Sequence, residues 1–293
     1  AISATTPFQH TDVTPKIPRI YPQLFGVCAH RSIETDTVFC HVCASSSKTL
    51  TMCYYYSIPD LRTLEQRFHA RLDPPIPFSR IYHVSGFSKP KLPVITDEDT
   101  QRIQLLNWGL IPHWMKEEAT GARFQVRTLN ARAETIHEKP SFRHLITTQR
   151  CLVLADGFFE WRHYRGRTFP YYIRLQNHRP FAFAGLWDKW TNPTTQETLK
   201  TYSVITTKAN SLLEKVHNKR KRMPVILQSD DEQRWLSSHL MRKEIDSLLV
   251  SHDASQMQAC TVSRLITARD VPRNVPDAIK PETYPELPSI ESP

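Results

Sequence analysis

Short apolar runs separated by polar turns dominate the middle of the chain. LPVI, IQLLNWGLI, CLVLA, GFFEW, YYIRL, FAFAGLW, TYSVIT and MPVIL each predict a strand, and many carry β-branched or aromatic side chains. Helical spacing is rarer. Leu61, Leu64, Phe68 and Leu72 fall on one face, with Ser57 as the expected cap and Pro59 suited to the first turn. Two later helices are predicted from capping-box spacing, Ser211 with Glu214 and Ser229 with Glu232. Residues 1–51 show neither period. Rich in Thr, Ser, Pro and His, they read as an extension, a pro-segment or an upstream region outside the fold. Residues 276–293 are proline-rich and read as a loose tail, which leaves 52–275 as one domain. The pattern predicts an α+β fold, a strand-rich core resembling a distorted β-barrel with a few peripheral helices. There is no internal repeat, P-loop or dinucleotide fingerprint.

Composition narrows the class. With 293 residues and 40% hydrophobic content the chain can bury a core without disulfide staples. No apolar run approaches the roughly 18 residues of a membrane helix, and no secretory signal pattern opens the chain. The expectation is a soluble monomer in the cytoplasm, at the nucleoid if the source is bacterial, with no membrane partner. Of the six cysteines, Cys151 and Cys260 adjoin predicted strands and read as buried free thiols. Cys40 and Cys43, with His41 between them in FCHVC, make half a zinc site, but no second pair follows, so no metal is expected. Net charge is +9, with basic clusters at 162–167 and at 215–222, which favours a polyanionic partner such as nucleic acid.

Four blocks interrupt the apolar pattern with polar chemistry. In TLNARAET, Asn130, Arg132 and Glu134 alternate as in a strand. In LADGFFEW, Asp156-Gly157 makes a turn and Glu160 sits among Phe158, Phe159 and Trp161. A carboxyl in that frame has a raised pKa suited to acid–base work, and an acid facing water is the alternative. In SLLEKVHNKRKRMPVIL, His217 ends a short helix before a basic loop, where a histidine is also favoured by the helix dipole alone. In WGLIPHWMK, Trp108 and Trp114 flank Pro112, either as core or, for Trp114, as a surface for stacking a base. A fifth feature is the pair Met52-Cys53, in which the first methionine of the chain is followed directly by cysteine.

Met-Cys, W-G-L-I-P-x-W, N-A-R-A-E-T, A-D-G-F-F-E-W and V-H-N-K-x-x-R-M-P-V-I-L, in this order, resemble the SRAP (SOS-response-associated peptidase) family. Its members process abasic sites in single-stranded DNA. The resemblance runs from Met52 to about Val275. It implies that removal of the preceding residues exposes Cys53 as an N-terminal residue. The Cys53 amine then condenses with the lesion aldehyde, and its thiol closes a thiazolidine cross-link. It further implies Glu160 as acid–base residue, His217 as a proton-transfer partner, and Asn130 as the amide that positions cysteine and sugar. DNA contacts fall to Arg132, Thr206, Lys219, Arg220 and Arg222, with Trp114 and Met115 supporting an unstacked nucleotide. The implied partner is single-stranded DNA containing abasic sites, with no cofactor and no metal.

The sequence departs from the commoner family pattern in three places. Cys53 is followed by Tyr54-Tyr55 rather than Gly-Arg, which removes an expected phosphate contact beside the nucleophile. YHVSGF replaces an asparagine-containing motif, and Met115 stands where a second tryptophan can occur. Two further functions stay open at this level. One is a cysteine-dependent peptidase that removes its own leader. The other is a non-catalytic single-strand binder that uses the basic clusters and tryptophans.

Overall fold

The computed structural model describes residues 54–290; Cys53, the FCHVC pair and the expected extension lie outside the described residues. Among the described residues there are thirteen strands: β1 (Tyr55–Ile58), β2 (Arg71–Leu72), β3 (Ile81–Ser85), β4 (Lys91–Thr96), β5 (Asp99–Trp108), β6 (Asn130–Arg132), β7 (Arg150–Ala155), β8 (Gly157–Tyr164), β9 (Arg167–Leu175), β10 (Phe181–Thr191), β11 (Thr198–Lys208), β12 (Arg222–Pro224) and β13 (Met257–Thr261). The helices are short: α1 (Leu61–Phe68), α2 (Glu118–Gln125), α3 (Leu145–Thr148), α4 (Ser211–Val216), α5 (Ser229–Leu236) and α6 (Arg242–Leu248). None is long and apolar enough to cross a membrane.

Antiparallel pairing runs β11-β10-β7-β4-β5, and a parallel pairing of Thr201 with Asn107 and Tyr202 with Trp108 joins β11 back to β5. The five strands therefore close into a barrel, as the strand-rich pattern predicts. β7 and most of β10 are buried on both faces, which is why CLVLA and FAFAGLW read as continuous apolar runs rather than alternations. A second sheet, β13-β9-β8-β1-β3, packs on the barrel. Tyr56 of β1 reaches across to it, its hydroxyl 2.6 Å from that of Tyr202 and its ring 4.8 Å from Trp108.

Several local expectations are corrected. Residues 55–58 form a strand, so Ser57 does not cap a helix; it is fully buried and donates to Asp156 at 2.6 Å. Asp60 caps α1 instead, accepting from the Thr63 N–H at 3.0 Å, because Pro59 breaks the strand and leaves the carboxylate next to the first turn. The helix stops at His69, which is left-handed at φ 52°, so Leu72 lies in β2. Asn210 caps α4 through the Leu213 N–H, one residue before the expected Ser211. Glu232 turns from its own helix end to an ion pair with Arg67 at 2.7 Å. MPVIL pairs as a strand only through Pro224.

The proline-rich stretch 276–290 is docked rather than loose. Ala278 is buried, the Tyr284 hydroxyl donates to the Val262 carbonyl at 2.8 Å, and the Tyr284 ring packs edge-on against Phe169. Prolines bring no N–H, so such a segment can lie on a sheet with few donors to satisfy. The proline content reads as slack, and Tyr284 is the anchor that composition does not reveal.

Gly157 opens β8 because no side chain fits there: an added Cβ would stand 2.2 Å from the Tyr172 ring. The ring cannot retreat, since the Tyr172 hydroxyl is held 2.9 Å from Ser57. Gly157→Ala is expected to destabilise the fold by about 3 kcal/mol, at the upper end of overpacking effects. A urea melt lowered by under about 0.5 kcal/mol would contradict this reading of the site.

Candidate active site

β8 carries Glu160 inward. Phe158 and Glu160 share one face of the pleat, and Phe158 is fixed in the core, so the carboxyl follows it out of solvent. Only 3% of Glu160 is exposed, and its Oε1 has no hydrogen-bond partner among the described residues. Burial alone pushes its pKa well above the ordinary carboxyl range. The water-facing alternative is thereby removed.

His217 arrives from the other side, at the C-cap of α4, where its N–H bonds the Leu213 carbonyl at 2.7 Å. Its Nδ1–H donates to the Arg222 carbonyl at 2.9 Å, since a carbonyl can only accept. That bond fixes the tautomer and leaves Nε2 as the acceptor. Burial pushes the His217 pKa down, with help from nearby His163, Arg220 and Arg222, and outweighs the bond to the carbonyl. Nδ1 lies 3.7 Å from Glu160 Oε2, within ion-pair reach. Burial thus draws both groups toward their uncharged forms, a carboxylic acid beside a neutral imidazole.

The loop between His217 and Arg222 is held at both ends. Asn218 makes two reciprocal bonds with the β8 backbone, accepting from the His163 N–H at 3.0 Å and donating to the His163 carbonyl at 2.7 Å. Arg222 is buried; it pairs with Glu134 and donates to the Thr206 carbonyl at 2.8 Å and to Thr206 Oγ1 at 3.0 Å. A buried guanidinium is tolerable only with such partners. Arg222 and Thr206 thus lie beneath the site and hold the carbonyl that orients His217.

Glu160 and His217 open on a cavity of about 490 Å³, which Lys219 also lines. Its other walls include Tyr54, Tyr55, Phe87, Trp161, His163 and Arg273. Sequence reasoning missed these last. The aromatic crowding of CYYYS and GFFEW was a signal, whereas Arg273 came from the edge of the predicted tail. Tyr54, the residue bonded to Cys53, is anchored through its carbonyl to the Gly86 N–H at 2.9 Å. Gly86 in turn packs against Leu129, next to Asn130.

The remaining expected residues lie outside the cavity lining. Asn130 is buried in β6, paired with Val204 of β11. Arg132 is exposed and lies 3.7 Å from Glu134. Arg220 is exposed on the loop. Trp114 is 47% exposed, with its ring edge-on to Phe124. Its loop is stapled by the Trp190 indole N–H to the Met115 carbonyl at 2.7 Å, and Met115 itself is half-buried. Cys151 and Cys260 are free thiols whose pKa values are raised by burial, which makes both poor nucleophiles.

A sequence model of SOS response associated peptidase (SRAP) matches residues 52–269. The chain belongs to the SRAP family. A relative from Bacillus subtilis, the abasic site processing protein YoqW, is 41% identical over 192 residues, or 64% of this chain and 82% of that protein. The abasic site processing protein HMCES of Xenopus tropicalis is 34% identical over 159 residues, spanning 48% of this chain and 46% of that one. A crystal structure of a protein from Bacteroides thetaiotaomicron superposes with a TM-score of 0.74 at 35% identity, covering 79% of this chain and all (100%) of that one. The SRAP fold thus extends through the barrel and second sheet described above.

The Glu160 assignment has a thermodynamic signature. Its folded pKa lies above the unfolded value of 4.5. Between the two, the native state keeps a proton that the unfolded state has lost, so stability falls as pH rises. Glu160→Gln removes that dependence. It is expected to raise Tm by at least about 2 °C at pH 7.5 and to lose the gain near pH 4. An equal Tm difference at both pH values would mean that Glu160 is ionised in the fold.

Proposed function

We propose that this chain senses abasic sites in single-stranded DNA and captures them covalently through Cys53, once the residues before it have been removed. The observation that carries this reading is the cavity in which an uncharged acid and an uncharged base face each other beside the residue that follows Cys53. The names of the relatives, abasic site processing proteins, support the same substrate.

The chemistry asks for the two proton states that the site favours. The amine of Cys53 adds to the C1′ aldehyde of the ring-opened sugar, and loss of water gives an imine. Addition of the thiol across the C=N bond closes the thiazolidine and returns the nitrogen to an amine. Glu160, holding its proton, donates to the departing hydroxyl of the carbinolamine. His217 Nε2 accepts a proton from the attacking amine or thiol, or from the sugar hydroxyl as the ring opens. Asn130 positions cysteine and sugar, while Lys219, Arg220 and Arg132 hold phosphates and Trp114 supports an unstacked nucleotide. Both nucleophiles sit on one residue, so ring closure is intramolecular and gains a high effective concentration.

The same acid–base pair also supports a second activity, cleavage of the peptide bond ahead of Cys53, which fits the peptidase in the family's description. That step would generate the reactive terminus.

Two measurements test these readings. The protein expressed from Met52 is incubated with a single-stranded oligonucleotide carrying one abasic site, and heat-stable adduct is followed on a denaturing gel. Adduct is expected with the wild type, none with Cys53→Ala, and a rate reduced about 100-fold with Glu160→Gln. Undiminished adduct in Cys53→Ala would refute the cysteine mechanism. For the peptidase reading, intact mass of the purified 293-residue chain should show loss of residues 1–52, with retention in Glu160→Gln. A wild-type chain that keeps its leader would exclude self-processing.

A further inference from the structure

The cavity is larger than its acid–base pair requires. At about 490 Å³ it falls within the range, roughly 300–1,000 Å³, of pockets that enclose drug-sized ligands, and exceeds one ring-opened pentose. The surplus space has a definite chemistry. One wall is aromatic: Tyr55 lies 5.0 Å from Trp161 in an edge contact and 6.3 Å from Phe87, and stacks at 5.1 Å on His83 behind it. His83 is 6% exposed and is kept uncharged at neutral pH, its pKa pushed down to about 4 by burial and by Arg273. The wall therefore presents π-faces and no ionised group.

The rim is cationic. Lys219 enters from the loop after α4, and Arg273 from the segment after β13. Arg273 is held in place by its Nε–H to the Ala268 carbonyl at 2.6 Å, and the next residue, Asn274, accepts the Tyr82 N–H on the edge of β3 at 2.7 Å. Among the described residues neither cation has a carboxylate within ion-pair reach, whereas Arg167, Lys221 and Arg222 each do. Their fields are felt by the imidazoles beside them, Arg273 at His83 and Lys219 at His163. Two uncompensated cations at the mouth of an aromatic pocket match an anion joined to a planar ring.

We propose that the cavity holds one intact nucleotide adjoining the lesion sugar, its phosphate between Lys219 and Arg273 and its base against Tyr55, Phe87 and Trp161. This inference rests on the abasic-DNA reading above. It assigns Arg273 the phosphate contact that the Tyr54-Tyr55 sequence lacks beside Cys53. The site is tolerant of base identity, because every base offers a π-face, but it needs a base to be present.

Binding tests this in the full chain, independently of the state of Cys53. Fluorescence anisotropy is read on single-stranded oligonucleotides that carry a tetrahydrofuran abasic analogue. In one series the neighbouring nucleotide on the 5′ or 3′ side also lacks its base; in another the adjoining linkage is a neutral methylphosphonate. Removing the base on one side only is expected to weaken Kd roughly fivefold or more. Neutralising the phosphate on that side should weaken it by a similar factor of about five. Trp161→Leu should abolish the first difference and Arg273→Gln the second, each variant retaining the wild-type far-ultraviolet circular dichroism spectrum. Equal affinity across both oligonucleotide series would overturn the subsite while leaving the abasic-DNA reading intact. Failure to bind the abasic oligonucleotide more tightly than its undamaged counterpart would remove that reading, and the subsite with it.

Discussion

The parallel pairing of β11 with β5 is the contact on which the rest of the structure depends. Without it the five strands are an open sheet with two edges; with it they close into a barrel, and no edge is left to template aggregation. β11 does more than close the ring. Beyond Tyr202 its next residues pair in parallel with β6, and its last residues pair with β12. One strand thus sets the positions of Asn130 and Arg222, and through the Arg222 carbonyl it sets the imidazole of His217. Parallel pairs form between segments far apart in sequence, so closing them carries a large loop-entropy cost that the apolar interior must offset.

Placing the site between barrel-borne β12 and the second sheet lets desolvation act on two groups at once. Glu160 belongs to the sheet and His217 to the loop that β11 anchors, and both are buried. Burial moves an acid and a base in opposite directions, raising one pKa and lowering the other. No opposing charge is needed to tune either group, so the cavity stays free of fixed negative charge at its floor. Its cations remain available at the mouth.

Much of this was legible in the sequence because it rests on local chemistry. The runs CLVLA, GFFEW, FAFAGLW and TYSVIT named their strands, and their number pointed to a strand-rich, barrel-like core. Glu160 stood out as an acid among aromatics, and His217 as a helix-end histidine beside a basic loop. What escaped depended on partners distant in the chain. Arg222 reads as one more cation in KRKR, and only its contact with Glu134 makes it structural. Ser57 looks like a cap until Asp156 and Tyr172 claim its hydroxyl. Arg273 sits in a stretch whose prolines suggested slack, yet Asn274 and Tyr284 bind that stretch to the sheet.

The bridge between Asn218 and His163 carries a consequence for how the site withstands change. An asparagine side chain presents the same donor and acceptor as a peptide group, so the loop is stitched to β8 as though it were one more strand. The hairpin of β8 and β9 and the base-bearing loop are thereby tied to each other at His163. Because Glu160 lies on the same strand as His163, one asparagine side chain ties the acid's strand to the start of the loop that His217 precedes.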